Sequence, residues 1–316
     1  MQGWVIAIIA VAYVTLLFVI ASLGDSRAGR RIGLGSRPFI YALSLAIYCT
    51  SWTFFGSVGL ASERGFEFLA IYIGPILVFL FGFPLLKRII RLAKSEKITS
   101  IADFLAARYG KSFAVASMAT LIATFGTIPY IALQLKAISD SVSLMVAHYD
   151  GAPPAIDFFV GDIALIVALL LAIFAVLFGT RHADATEHQD GLVLAVAVES
   201  IVKLAAFLTV GIAVTYYFFD GPVDLASAVS RLPRVQEAYS YPTSLATWIV
   251  MTTLSAFAII MLPRQFYVTI VENKSTAELE TASWLFPLYL VLINLFVLPI
   301  AFAGLLLVGG ATNSDL

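Results

Sequence analysis

The chain has 316 residues, of which 60% are hydrophobic and 12% charged, with a formal net charge of −1. Soluble domains carry about 25% charged residues, so this composition, with a mean hydropathy of +0.95, excludes a disordered chain, a nucleic-acid binder working through a basic surface and an ordinary cytosolic enzyme. The single cysteine, Cys49, excludes an intrachain disulfide and a cysteine-rich zinc site.

A polytopic membrane protein remains. A helix needs about 20 mostly apolar residues to cross the hydrocarbon. Eight runs qualify: 3–23, 38–62, 68–86, 113–147, 158–178, 191–219, 245–262 and 284–308. None alternates with period two, so a β-barrel is set aside. The first run lacks a basic flank and a small-residue cleavage site, and is expected as a retained helix rather than a signal peptide.

Lysine and arginine fall unevenly between these spans. The segments after spans 1, 3, 5 and 7 hold 14 of them, against three (Arg64, Arg231 and Arg234) in the opposite set. Basic residues concentrate on the cytoplasmic side. The N-terminus is therefore expected outside, and with eight spans the C-terminus too.

Span 2 contains I-Y-C-T-S-W-T-F-F-G-S-V-G over 47–59. Glycines and hydroxyls in mid-membrane let a helix open, and the freed carbonyls can then coordinate a small cation. The competing reading is a close-packed glycine face with the hydroxyls bonded to their own backbone. In the segment 95–111, apolar residues recur at helical spacing, and Ser100 with Asp103 forms a capping signal for a short surface helix. Span 4 carries Pro129, which predicts a kink. Further along come Gln134 and the pair Lys136 and Asp140, placed near the outer interface, where such chains snorkel cheaply.

The polar segment with His182, Asp184, Glu187, His188 and Asp190 has ligand-type residues at no metal-binding spacing. Span 6 carries Glu199 and Lys203, four apart and close to the midplane. Charges there cost at least about 2.5–3.5 kcal/mol on insertion scales and mark functional candidates; the alternative is a self-neutralised pair that locks two helices together. Residues 220–244 read as a loop broken by Gly221-Pro222, Pro233 and Pro242. Asn273-Lys274-Ser275 fits a glycosylation pattern but falls on the inner side. No phosphate-binding loop, nucleophile elbow or metalloprotease motif is present, and neither an enzyme nor a resident metal or other cofactor is expected beyond a sodium ion.

Three stretches resemble the sodium/solute symporter family: S-W-T-F-F-G-S-V-G in span 2, I-T-S-I-A-D-F-L-A-A-R-Y-G over 98–110, and M-L-P-R-Q-F-Y-V-T-I-V-E-N-K-S-T-A-E-L over 261–279. L-P-R-Q-F-Y and W-L-F-P-L-Y-L look most like the branch found at the N-terminus of CbrA-type bacterial sensor histidine kinases. The resemblance implies an all-α, LeuT-like inverted-repeat fold in the bacterial inner membrane: one extra helix, a first five-helix repeat in spans 2–6, and the start of a second in spans 7 and 8. No kinase module is present, so the chain is expected to be a truncated part of such a protein. The resemblance also places sodium-binding carbonyls at Ala46 and Cys49, and a solute cavity at Thr50, Trp52, Thr53 and Gly56. Trp52 stands where the family has a polar contact, which argues against a sugar. The implied partners are the bilayer, a small polar solute such as an amino acid, and C-terminal kinase modules of a longer protein; no nucleic acid is expected. The runner-up reading is a sensory module without net transport.

The charge asymmetry generates a topology test. In a Cys49→Ser background, a cysteine at position 232 is expected to react with an impermeant maleimide in intact cells, and one at position 30 is expected to stay unlabelled until the membrane is opened.

Overall fold

The computed structural model describes residues 3–25, 37–150 and 190–307, with isolated positions between 165 and 173. Most of predicted span 158–178, the polar residues 182–188, and Arg27, Arg30, Arg31 and Arg181 lie outside the described residues. Every described element is helical. They are α1 (Gly3–Asp25); α2 (37–44), continued by a 3₁₀ turn at Leu45–Tyr48; α3 (Ser51–Phe54); α4 (Gly56–Arg64); α5 (Ala70–Phe81); α6 (Phe83–Ser95); α7 (Ile101–Arg108); α8 (Phe113–Asp150); α9 (Asp190–Tyr217); α10 (Pro222–Val229); α11 (Pro233–Tyr239); α12 (Leu245–Met261); α13 (Pro263–Phe266), continued by a π-helical turn at Tyr267–Val271; α14 (Thr276–Asn294); and α15 (Val297–Leu307).

Among the described residues, four helical runs are long and apolar enough to cross a membrane: Ser51–Phe81, Phe113–Met145, Asp190–Tyr217 and Thr276–Leu307. A fifth is the pair Leu245–Met261 and Pro263–Val271, bent by 56°. The first run doubles back on itself. Ser57 Oγ lies 2.7 Å from the Tyr72 hydroxyl, and Tyr48 donates to the Ile71 carbonyl at 2.8 Å. Fifteen residues of straight helix would separate Ser57 and Tyr72 by about 22 Å. The reversal runs through the 3₁₀ turn Gly65–Leu69, where Gly65 takes φ +57° against the Ala238 carbonyl. A side chain is strained in that conformation.

The core lies where α2, α5, α12 and α14 meet. Tyr41, Leu45, Phe79, Phe286 and Leu290 are fully buried there, and the Phe79 and Phe286 rings pack edge to face at 4.9 Å. The α5–α12 crossing is closed by Gly74, whose missing Cβ would lie 2.1 Å from Ser255 Oγ and 2.5 Å from the Thr252 carbonyl. Small residues at such crossings let backbones approach in an apolar solvent that gives helices no hydrophobic drive to associate.

Charged groups gather at the two ends of the body. At one end Arg37 reaches Asp190 and Glu278 (Nε–Oε1 2.8 Å), and Lys274 reaches Asp190 at 2.7 Å. Lys94 donates to Asn273 at the same end. Glu278 also closes a capping box with Ser275 that starts α14. At the other end Glu67 takes Arg64 at 3.2 Å and the Thr243 hydroxyl at 2.8 Å, while Arg64 lies over the Tyr241 ring.

Some expectations need correction. The segment 220–244 is not an irregular loop but holds α10 and α11: Pro222 and Pro233 occupy first-turn positions, where a missing N–H costs nothing. Residues 263–271, expected as inner loop, are helical and mostly buried. The short surface helix is present as α7, with Ser100 accepting from the Asp103 N–H. Pro129 lies inside a continuous α8.

Gly74→Val is expected to destabilise the protein by about 1–3 kcal/mol through overpacking. Gly126→Ala, which meets nothing within 4 Å, should be neutral or slightly stabilising. Thermal unfolding in detergent checks both; equal effects would contradict the close crossing.

Candidate functional site

Span 2 breaks at Cys49 and Thr50, which take extended conformations (ψ 109° and −169°) between the 3₁₀ turn and α3. Backbone groups at such a break lose their helical partners, and in an apolar interior each must find another. The Cys49 carbonyl accepts from Lys203 Nζ of α9 at 3.0 Å. The Ala46 carbonyl accepts from the Cys49 N–H at 2.9 Å. The Ser51 N–H, first in the restarted helix, donates to Gln134 Oε1 of α8 at 3.2 Å, and the Ser51 hydroxyl bonds the same oxygen. Tyr130, one turn earlier on α8, donates to Thr50 Oγ1 at 3.1 Å.

A second break faces the first. Span 7 stops at Leu262 (ψ 132°) and restarts at Pro263. Arg264, just past it, donates to the Tyr130 hydroxyl at 3.2 Å and lies 5.4 Å from that ring. Two interrupted helices are thus tied through Tyr130 and Thr50. Discontinuous helices meeting inside the membrane are how many transporters build binding sites.

A cavity of about 180 Å³ opens beside the first break. Ser51, Trp52, Phe55 and Gly56 form one wall; Leu133, Lys136, Ala137 and Asp140 of α8 form the other. The wall on α8 carries opposite charges, with Lys136 Nζ 2.6 Å from Asp140 Oδ2. Gly56 gives Trp52 its place: a Cβ there would lie 2.4 Å from Trp52 Nε1. Gln134 Nε2 is buried with no hydrogen-bond partner in the structure, leaving a donor at the break.

The expected residues divide between these features. Trp52, Gly56, Lys136 and Asp140 line the cavity. Thr50 turns to Tyr130, and Thr53 is buried beside Cys49 and Tyr72. Glu199 and Lys203 form their ion pair at 3.3 Å, on the α9 side of the break. Tyr130 and Arg264 were not anticipated as site residues, and Gln134 was noted only as polar. The signal was present for two of them: Tyr130 and Gln134 are four apart on one face of an apolar helix. Arg264 carried none, because only the fold brings span 7 to span 2.

The arrangement can hold a ligand by hydrogen bonds and paired charges. Among the described residues no group of three or more His, Cys, Asp or Glu side chains could hold a metal.

The chain is similar to two proteins of Bacillus subtilis (strain 168). It shares 23% identity over 278 residues with the uncharacterized symporter YhjB, covering 88% of this chain and 53% of that protein. It shares 26% identity over 193 residues with the uncharacterized symporter YodF, covering 58% of this chain and 38% of that protein. The chain thus spans about half or less of the length of these relatives. No protein family and no solved structure matches it. With its apolar helices, this similarity makes the chain a multi-pass, transporter-like membrane protein.

Gly56→Leu is expected to dislodge Trp52 without unfolding the protein. In a background with Trp4, Trp248 and Trp284 replaced by phenylalanine, the remaining emission should shift and become more quenchable by iodide. An unchanged spectrum would mean that Gly56 does not seat the indole.

Proposed function

We propose that this chain is the solute-binding membrane body of a symporter, with the inverted-repeat architecture of the sodium/solute symporter family. It binds a small zwitterion of the amino-acid class in the cavity beside the span 2 break. The observation that carries this reading is the cavity itself, where a broken helix faces the oppositely charged Lys136 and Asp140. A zwitterion exchanges the contact within that pair for two contacts of its own, Lys136 to its carboxylate and Asp140 to its ammonium. Trp52 and Phe55 supply apolar surface for its side chain. Sodium or a proton is the driving cation in this reading, and the bacterial inner membrane is its location, with the N-terminus outside.

The wording of the two relatives' names supports transport. The likeness of L-P-R-Q-F-Y and W-L-F-P-L-Y-L to the CbrA-type branch supports a second role, in which solute occupancy is reported to a C-terminal kinase in a longer protein. The two roles differ in flux.

Proteoliposomes given labelled amino acids separate them: accumulation against a cation gradient supports transport, and saturable binding without accumulation supports sensing. Lys136→Met and Asp140→Asn should each weaken binding roughly tenfold to hundredfold, the value of one charge-assisted hydrogen bond. If neither changes affinity, the cavity is not the solute site.

A further inference from the structure

The resemblance seats a sodium ion on the carbonyls of Ala46 and Cys49, yet both oxygens are already engaged. The Ala46 carbonyl closes the 3₁₀ turn by accepting from the Cys49 N–H at 2.9 Å. The Cys49 carbonyl accepts from the Lys203 ammonium at 3.0 Å, and the same ammonium lies 3.3 Å from Glu199. Lys203 is only 19% exposed, so solvent screens it weakly. One oxygen is therefore committed to the backbone, and the other holds a full positive charge. The residues present do not fit a sodium ion at this point.

We infer that Lys203 is the resident cation of the broken helix: its ammonium occupies the Cys49 carbonyl in place of a metal ion, and sodium is not bound there. The inference rests on reading the break as the working centre of a transporter, but it does not depend on which solute the cavity takes.

The chemistry is that of a tethered ligand. A carbonyl freed by a helix break has its lone pairs turned into an apolar interior and needs a positive partner. An ammonium on a four-carbon stem supplies one, with three donors to share between the carbonyl and a carboxylate. Glu199, one turn earlier on α9, neutralises the charge that Lys203 brings. A second monovalent cation at the same carbonyl would be repelled by that ammonium, a repulsion that the Glu199 carboxylate reduces. The pair Glu199 and Lys203 thus has a role beyond self-neutralisation, because its positive end completes the backbone of another helix.

The test needs only the purified full chain, sodium and small amines. The thermal midpoint of the wild-type protein is measured in sodium chloride and in choline chloride at equal ionic strength, and radiolabelled sodium binding is measured by equilibrium dialysis. The inference expects no sodium-specific stabilisation and no saturable binding. Lys203→Ala leaves the Cys49 carbonyl and the Glu199 carboxylate facing a gap. It should melt lower in choline, and recover in ethylammonium or sodium with a midpoint that saturates with ligand. Sodium should bind it at least about tenfold more tightly than it binds the wild type. Lys203→Met, which fills the gap, should melt lower and respond to neither cation.

Saturable sodium binding to the wild type overturns the inference. So does a Lys203→Ala protein that ethylammonium restores no better than choline does. If Lys203→Ala is not recovered folded, sodium binding to the wild type decides alone: saturable binding overturns, and its absence supports. Because no arm uses a solute, failed uptake of amino acids leaves this inference standing, and bound sodium leaves the solute cavity standing.

Discussion

An interrupted helix inside an apolar body must find partners for the backbone groups that it frees. A lone unsatisfied amide costs several kcal/mol in hydrocarbon, so the breaks at Cys49–Thr50 and Leu262 are tolerable only where other elements supply donors and acceptors. Here α8 and α9 do so. Lys203 takes the Cys49 carbonyl, Gln134 takes the Ser51 N–H, and Tyr130 holds Thr50 while accepting from Arg264. Four polar residues in or beside otherwise apolar helices, Lys203, Gln134, Tyr130 and Arg264, are thus explained by two short stretches of non-helical chain.

This requirement also fixes how the body is braced. The breaks remove helical continuity in the middle, so alignment has to come from the ends and the core. Arg37, Asp190, Lys274 and Glu278 join the start of α2, the start of α9 and the entry to α14 at one end. The Glu278 side chain is only 2% exposed. Stranding such a charge by removing its partner typically costs about 3–5 kcal/mol. At the other end Glu67 gathers Arg64 and Thr243. Between the ends, close crossings such as that at Gly74 hold α12 against α5. The result is a braced frame around a locally open centre.

Individual residues mark where the sequence was legible. Helix α8 and helix α9 follow their hydrophobic runs to within a few residues, because length and apolarity alone decide a membrane helix. The density of glycine and hydroxyl groups around Cys49 marked span 2 as the place to open. The break at Leu262 was equally written in Pro263 but was absorbed into an expected loop, since a proline at the end of an apolar run reads the same whether the chain leaves the membrane or restarts within it. Pro222 and Pro233 misled in the opposite direction, as helix starts that resemble loop breakers. Gln134 was visible as a polar residue, but its target was not.

The sequence by itself determined the class, most of the helices, the basic asymmetry and the positions where charge and flexibility enter the membrane, because each follows from transfer energies and backbone freedom within one segment. Tertiary structure alone decided what those groups do. That Lys203 completes Cys49 from 154 positions away, that Arg264 reaches Tyr130, and that Asp140 faces Gly56 across a cavity depend on which helices cross and at what depth. Such contacts are set by the packing of many weak surfaces together, and no single segment encodes them.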